Sequence, residues 1–153
     1  MIPFLVVSAV FIIDRITKIF AMRFLKGKVV TVIPDFFSLV FAENKGAAFS
    51  IFSSSTGAGR FLMLIAFPAV IVVALIYLLL TKKEYPLYLK ISLSLILGGA
   101  LGNLYDRIIY GTVVDFLDFH VGKYHWPAFN VADIAVFIGT VMLILNVSGK
   151  EEA

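Results

Sequence analysis

The stretch FLMLIAFPAVIVVALIYLLL, residues 61–80, decides the fold class, because it contains no charged or strongly polar side chain. About 20 consecutive apolar residues are enough for a helix to cross the hydrocarbon core of a bilayer. Basic residues often flank such helices, and Lys82 and Lys83 follow this stretch almost directly. We therefore predict that residues 61–80 form a transmembrane helix.

The composition of the whole chain agrees with that prediction. Of its 153 residues, 61% are hydrophobic and only 15% are charged, and the mean hydropathy is +1.01. A water-soluble fold of this size could not bury so much apolar surface. We predict an all-α membrane protein that forms a single integral membrane domain over residues 1–153. Its four transmembrane helices have the approximate spans 3–25, 61–80, 88–109 and 130–148.

The first of these spans has an alternative interpretation. Residues 4–13 could be the apolar region of a cleavable signal peptide, which has a basic start and a small-residue cleavage site. This chain opens instead with Met1, Ile2 and Pro3, and its helix-compatible pattern continues beyond Asp14. We therefore predict a retained helix that carries a buried acid.

The remaining residues form two extramembrane segments, 26–60 and 110–129. In the first, a β-branched run at 29–33 precedes the turn signal Pro34-Asp35. This pattern predicts a small extramembrane β-hairpin or β-cradle. Residues 47–52 are apolar enough to form an amphipathic segment lying on the membrane surface.

Charge and cysteine content limit the partners and the chemistry. The formal net charge of +3 is scattered without a basic run, so we expect contact with membrane lipid and no nucleic acid partner. The chain has no cysteine, which excludes disulfides, a thiolate nucleophile and a thiolate metal site. His120 and His125 lack the His-Glu-x-x-His spacing of metalloproteases. We therefore expect no metal and no cofactor.

Acidic residues beside the predicted spans are the main candidates for function, because an ionisable group in hydrocarbon usually has a function or a partner. Two of them lie in segments with further polar and small residues, GTVVDF at 111–116 and FNVADI at 129–134. Both segments are expected at the same membrane face. The full set of acids is Asp14, Asp106, Asp115, Asp118 and Asp133.

The residues alone leave the roles of these two acids open. Asp115 could be an exposed loop acid, and Asn130 with Asp133 could form a helix cap. Alternatively, the two carboxyl groups suit peptide hydrolysis without metal or thiol, which requires an activated water and an acid for the leaving amine. Two close carboxyl groups do not easily ionise together, and the helix dipole favours Asp133 as the ionised one.

Other polar residues are candidates for substrate binding or site support. Asn103 and Arg107 are four apart on a helix and could anchor a carboxylate or a substrate carbonyl, although Arg107 could also snorkel at the helix end. Asp14 and Lys18 are likewise four apart, which favours an internal ion pair. The set is Asp14, Lys18, Asn44, Gly46, Asn103, Arg107 and Asn130.

These residues belong to motifs that follow one another in a fixed order. They are DRITK at 14–18, ENKGAAFS at 43–50, GGALGNLYDR at 98–107, and the segments around Asp115 and Asp133. Together, over nearly the whole chain, they resemble the lipoprotein signal peptidases, also called signal peptidase II, of bacterial inner membranes. Within the second motif, Asn44 and Gly46 could contact an extended substrate or form an ordinary turn.

The resemblance implies an aspartyl endopeptidase with Asp115 and Asp133 as the catalytic pair. Its substrate would be a diacylglyceryl-modified prolipoprotein, cut just before the lipid-bearing cysteine at the outer face of the bacterial inner membrane. The resemblance also implies that both chain ends are cytoplasmic, whereas counting basic residues would place the first loop inside. Headgroup-level Lys and Arg can snorkel and confuse that count. We expect a monomer.

Two other classes of function fit parts of the sequence. A small polytopic transporter or proton relay would use intramembrane acids, but a relay needs polar groups through the full depth of the bilayer. The stretch 61–80 has none, and Asp115 and Asp133 cluster at one side. A membrane scaffold binding partners through residues 28–52 would leave the paired acids unexplained.

Overall fold

The computed structural model describes residues 1–46 and 57–148. In this part of the chain, three helices pack around a fourth, and a four-stranded antiparallel sheet lies beside one end of the bundle. The predicted surface segment at 47–52 lies outside the described residues. The helices are α1 (Ile2–Phe24), α2 (Gly57–Thr81), α3 (Leu87–Tyr110) and α4 (Val131–Ser148), and the strands are β1 (Val30–Ile33), β2 (Phe37–Asn44), β3 (Val113–Val121) and β4 (Tyr124–His125).

The four helices begin and end close to the predicted boundaries. Helix α2 contains a π-helical turn at Leu62–Ala66 and continues to Thr81. Helix α3 begins after Pro86 and ends at Gly111, which has a φ of 72° and donates its N–H to the Arg107 carbonyl at 3.2 Å. A glycine takes this left-handed conformation without steric cost, so it stops the helix and turns the chain into β3.

Length and composition support two of the four predicted spans. Among the described helices, Gly57–Thr81 and Leu87–Tyr110 are long and apolar enough to cross a membrane, and α4 holds the shorter apolar stretch Val131–Leu145. Helix α1 is long enough but carries Asp14, Arg15 and Lys18.

Helix α3 packs against each of the other three helices. Its small residues allow close approach of α1, because a Cβ atom at Gly98 would lie 2.8 Å from Val10 Cβ. A Cβ at Gly99 would collide with the Ala132 carbonyl of α4. On the other side of α3, Leu93, Leu97 and Leu104 form an apolar core with residues of α2.

The predicted β-cradle is present and is larger than a hairpin. Strands β1 and β2 pair antiparallel around a turn in which Asp35 has a φ of 56°. The segment 110–129 was predicted as an extramembrane segment without assigned strands, and most of it forms β3 and β4 of the same sheet. Strand β3 pairs with β2, so the sheet order is β1-β2-β3-β4, and Ala42 lies opposite Asp115.

Burial of one end of β3 attaches the sheet to the helices. Val114 and Phe116 pack against Ala21 and Leu25 at the end of α1, and all four are buried. Removing such side chains from water stabilises the contact by roughly 25 cal/mol for each Å² of apolar surface. The packing therefore fixes the position of Asp115, which lies between Val114 and Phe116.

Candidate active site

A cavity of about 750 Å³ lies between the sheet and helices α3 and α4, and both predicted catalytic aspartates line it. The predicted site residues Asn44, Asn103 and Arg107 line it as well. The other lining residues are Val113, Trp126, Pro127, Ala128, Phe129, Ile134, Val136, Phe137 and Thr140.

Asp115 is a buried strand residue whose side chain is 3% exposed. Both of its carboxyl oxygens accept hydrogen bonds from amides. Asn130 Nδ2 donates to Oδ1 at 2.6 Å, and Asn44 Nδ2 donates to Oδ2 at 3.1 Å. The possibility that Asp115 is an exposed loop acid is therefore excluded.

Asp133 lies in the first turn of α4, and both of its carboxyl oxygens also accept hydrogen bonds. Asn103 Nδ2 donates to Oδ1 at 2.7 Å, and the Asn130 backbone N–H donates to Oδ2 at 3.2 Å. In return, the Asp133 backbone N–H donates to Asn130 Oδ1 at 3.0 Å. This reciprocal pair is a helix cap. Asp133 also lines the cavity, so capping leaves its carboxylate available for chemistry.

Asn130 is the residue that connects the two aspartates. It is completely buried, and its side-chain oxygen is committed to the Asp133 backbone N–H. Its amide nitrogen must therefore face Asp115, to which it donates. One asparagine thus holds both carboxyl groups at the same wall of the cavity.

The electrostatic surroundings favour the neutral form of Asp115. Burial raises the pKa of this carboxyl to about 7, and the neighbouring Asp133 carboxylate adds to the rise. Hydrogen bonds from Asn44 and Asn130, and the more distant charge of Lys18, oppose it. Asp115 therefore holds a proton at a pH where an ordinary aspartate is ionised.

Arg107 brings a positive charge to the same cavity. Its Nη2 donates to the Gly46 carbonyl at 3.4 Å, and among the described residues its buried Nε has no hydrogen-bond partner. The Gly46 N–H donates to Asn44 Oδ1 at 3.0 Å, which turns the Asn44 amide nitrogen toward Asp115. The predicted turn at Asn44 and Gly46 is thus present and orients a ligand of the aspartate.

Asp14 and Lys18 form the internal ion pair that their spacing predicted. Lys18 Nζ lies 2.9 Å from Asp14 Oδ2, and both side chains are fully buried. Neither residue lines the cavity. The Ala132 N–H donates to Asp14 Oδ1 at 3.1 Å, so the pair supports the start of α4 from behind the site.

Asp106 was not predicted as a site residue, yet it organises the same region. Its carboxylate pairs with Arg15 and, at 2.8 Å, with Lys18, and it accepts the Val114 N–H at 3.3 Å. It therefore ties β3 to α1. A sequence signal was available, because Asp106 lies three residues after Asn103 within a predicted span.

The apolar wall of the cavity was also missed. Ile134, Phe137 and Thr140 follow Asp133 at spacings of one, four and seven, so most of them share its face of α4. Helical periodicity starting from Asp133 would have found them. The structure places Trp126 at the cavity as well.

The histidines of the sheet lie apart from the cavity. His125 Nδ1 pairs with Asp118 at 2.9 Å, and His120 Nε2 contacts Ser38 Oγ at 3.2 Å. The two imidazole rings stack with centroids 4.7 Å apart. Across residues 1–46 and 57–148, no group of three or more His, Cys, Asp or Glu side chains is placed to hold a metal ion.

Comparison with known proteins identifies the family. The family model described as signal peptidase (SPase) II matches residues 6–148. The chain belongs to the signal peptidase II family. The lipoprotein signal peptidase of Clostridium tetani (strain Massachusetts / E88) is 48% identical over 136 residues, covering 88% of this chain and 84% of that protein. The lipoprotein signal peptidase of Janthinobacterium sp. (strain Marseille) is 46% identical over 148 residues, covering 95% of this chain and 88% of that protein.

Solved structures agree with this signal peptidase II assignment. Two bacterial membrane enzymes determined by the in meso method are each 32% identical to the chain, with TM-scores of 0.84 and 0.81. The first match covers 97% of this chain and 88% of the other, and the second covers 95% and 91%. The resemblance drawn from the motifs is confirmed, and membership of the signal peptidase II family makes the chain a protease of membrane character.

Proposed function

We propose that this signal peptidase II family member is an aspartyl endopeptidase with Asp115 and Asp133 as its catalytic pair. The observation that carries the proposal is that both carboxyl groups line one cavity and are joined through Asn130. Peptide hydrolysis without metal or thiol needs a base for water and an acid for the departing nitrogen. Two carboxyl groups that titrate as a unit supply both.

The surroundings of the two carboxyl groups support a division of roles within the pair. Both groups receive a donor on each oxygen, but Asp133 lies in the first turn of α4, where the helix dipole favours a carboxylate. We assign it as the base that removes a proton from water as the oxygen attacks the scissile carbonyl. Asp115, held neutral by burial, donates a hydrogen bond to the carbonyl oxygen. When the tetrahedral intermediate collapses, Asp133 passes the proton that it took from water to the leaving nitrogen, and no acyl-enzyme forms.

The cavity wall supports a substrate with a long apolar part. The wall on α4 extends from Asp133 to Thr140, which is about 10 Å at the helical rise of 1.5 Å per residue. The relatives described above are named lipoprotein signal peptidases. We therefore propose that the substrate is a diacylglyceryl-modified prolipoprotein, cut just before its lipidated cysteine.

The proposed setting is the bacterial inner membrane, with four spans, both chain ends in the cytoplasm and the cavity toward the outer face. Charges on α1 do not forbid its insertion, since Asp14 and Lys18 neutralise each other and Arg15 pairs with Asp106. Large apolar side chains such as Phe4 and Phe67 are exposed on the helix surfaces, where lipid would cover them. We propose that the enzyme acts as a monomer.

Purified protein in detergent tests the substrate assignment. It is given a diacylglyceryl-modified prolipoprotein and the unlipidated twin of the same sequence, with and without serine-directed, thiol-directed and chelating inhibitors. We expect cleavage of the lipid-modified protein only, insensitive to all three inhibitors. Equal cleavage of the unlipidated twin would overturn the substrate assignment, and inhibition by a chelator would overturn the metal-free mechanism.

A further inference from the structure

Asn103 connects the aspartate pair to a fully buried cluster of charges on the far side of α3. Its Nδ2 donates to Asp133 Oδ1 at 2.7 Å, and its Oδ1 accepts from Lys18 Nζ at 2.9 Å. Asn130 Nδ2 also lies 3.2 Å from Asn103 Oδ1. The amide therefore forms a bridge between the catalytic cavity and Lys18, which does not line that cavity.

The chemistry of the bridge determines which way the Asn103 amide points. An ammonium group has three donors and no acceptor, so the atom facing Lys18 must be the amide oxygen. The amide nitrogen then faces Asp133, so Asp133 Oδ1 must be the acceptor of this hydrogen bond. An amide free to rotate could present either atom to Asp133, and the oxygen would repel a carboxylate.

Lys18 makes more contacts than a simple ion pair requires. Its ammonium is fully buried and contacts Asp14 Oδ2 at 2.9 Å, Asp106 Oδ2 at 2.8 Å and Asn103 Oδ1 at 2.9 Å. Two carboxylates would be enough to neutralise the charges of Lys18 and Arg15. The third donor is directed at the amide that touches the proposed base.

We propose that Lys18 is a positioning residue for hydrolysis, which holds the Asn103 amide in the orientation that keeps Asp133 a hydrogen-bond acceptor ready to take the proton of water. This inference rests on the proposed function. In contrast, a purely structural Lys18 would stabilise the helix packing and affect turnover only through overall folding.

A double-mutant cycle separates the two roles, because it measures whether the effect of Lys18 depends on Asn103. Turnover of the lipid-modified substrate is measured for Lys18→Met, Asn103→Ala and the double variant, together with the thermal unfolding midpoint in detergent. We expect Lys18→Met alone to lower kcat by roughly 10- to 100-fold, as for other losses of a partner that orients a reacting group. In the Asn103→Ala background, the same change should lower kcat by less than about threefold.

Arg15→Met is the matched control. It removes one cation from the same cluster, because Arg15 pairs with Asp106, but it breaks no contact to Asn103. We expect it to change kcat by the same factor with Asn103 present or replaced. If Lys18→Met also changes kcat by one factor in both backgrounds, the positioning role is overturned and Lys18 is structural.

A charge-balanced variant covers the case in which Lys18→Met alone does not fold. Lys18→Met with Asp14→Asn leaves Arg15 opposite Asp106, and the asparagine oxygen can still accept the Ala132 N–H. The double-mutant cycle with Asn103→Ala is then run with this double substitution in place of Lys18→Met. Failure of the proposed function gives a different result, since the wild-type protein itself would not cleave the substrate, or would cleave it without the aspartates.

Discussion

Asp115 and Asp133 have the same side chain but different surroundings. Asp115 lies on a buried strand, where two asparagine amides hold its oxygens. Asp133 lies at the start of a helix, where a backbone N–H and the Asn103 amide hold its oxygens. In the proposed mechanism, these different surroundings make Asp115 the acid and Asp133 the base, a division of roles found in acid–base catalysis by two carboxyl groups.

The raised pKa of Asp115 predicts how activity depends on pH. Because this group must be protonated to donate to the carbonyl, we expect kcat/KM to fall as the pH rises through about 7. The fall in kcat/KM reports the titration of Asp115 and Asp133 as a coupled pair, so the pH at its midpoint need not be the pKa of one residue alone. A profile measured from pH 5 to 9 checks this. Activity that stays constant from pH 6 to 9 would contradict a neutral Asp115.

The same pKa shift has a consequence for stability. The folded-state value of about 7 lies above the ordinary value of 3.8, so the folded state favours the proton. The stability that this group contributes is fully present below about pH 4 and is lost as the pH rises through about 7.

Asp133 combines a capping role with the proposed catalytic one, and substitution separates them. Asp133→Ser keeps a short polar side chain near the end of α4, so we expect the free energy of unfolding to fall by only about 1 kcal/mol. Turnover should nevertheless be lost, because serine cannot act as the base. Thermal unfolding and cleavage are measured on the same preparation. A folded Asp133→Ser protein with more than a tenth of wild-type turnover would show that capping is the whole role of this residue.

Strand β3 is the element that sequence reasoning did not predict. Its residues 113–121 include Asp115, Asp118 and His120, so they read as a polar connection after α3. The segment forms a strand because it pairs with β2 and because Val114 and Phe116 pack against α1. Both contacts join residues that are distant in sequence. Local propensity cannot show such pairing. In contrast, α2 and the β1–β2 hairpin were predictable from hydrophobicity and one turn signal.

Most of the polar site was predicted, whereas its apolar wall and Asp106 were missed although helical spacing offered a signal for both. Spacings of four on a helix placed Asn103 with Arg107 and Asp14 with Lys18, and ordered motifs placed Asn44. The contact of Lys18 with Asn103 joins α1 to α3 and depends on how the helices pack, so no spacing could reveal it.

Close packing of α3 on α4 positions Asp133 beside Asn103. Adding a single methyl group at Gly99 tests this packing. A Cβ at Gly99 would collide with the Ala132 carbonyl and lie 2.8 Å from Val136 Cγ2. We expect Gly99→Ala to destabilise the protein by about 1–3 kcal/mol and to lower turnover, because the helices must move apart. The thermal unfolding midpoint and kcat are the measurements.

Gly59→Ala is the control for this experiment. Gly59 lies on α2, and a Cβ there would have no neighbour within 4 Å. We expect unchanged or slightly raised stability, since alanine is the better helix former. If Gly99→Ala is as harmless as Gly59→Ala, the helices are not held at the distance described.

On the scale of the whole molecule, the buried charged groups lie toward the end of the helices that carries the sheet. This end is the one that we propose to face outward, and the turn between α2 and α3 is then cytoplasmic. The chain contains no cysteine, so single cysteines can report on each side without background. Exposed Lys123, in the β3–β4 turn, and exposed Lys83, in the α2–α3 turn, are suitable positions.

We expect Lys123→Cys to react with a membrane-impermeant maleimide in intact cells whose outer barrier, if present, is permeabilised. Lys83→Cys should react only after the inner membrane is disrupted. The two variants serve as controls for each other, because both sites are exposed turns. Reaction of Lys83→Cys alone in intact cells would mean that the proposed orientation is reversed.

The proposed mechanism requires Asp115 and Asp133 to act together. The most direct test is the single-turnover rate at which the protein cleaves a lipid-modified prolipoprotein. Asp115→Asn and Asp133→Asn are each compared with wild type and with Asp118→Asn, a buried aspartate on the same strand as Asp115 that does not line the cavity. We expect the first two variants to lose about 1,000-fold or more in rate. Asp118→Asn should stay within about threefold of wild type. A near-wild-type rate in either Asp115→Asn or Asp133→Asn, in a folded protein, would contradict the proposal that the two aspartates are the catalytic pair.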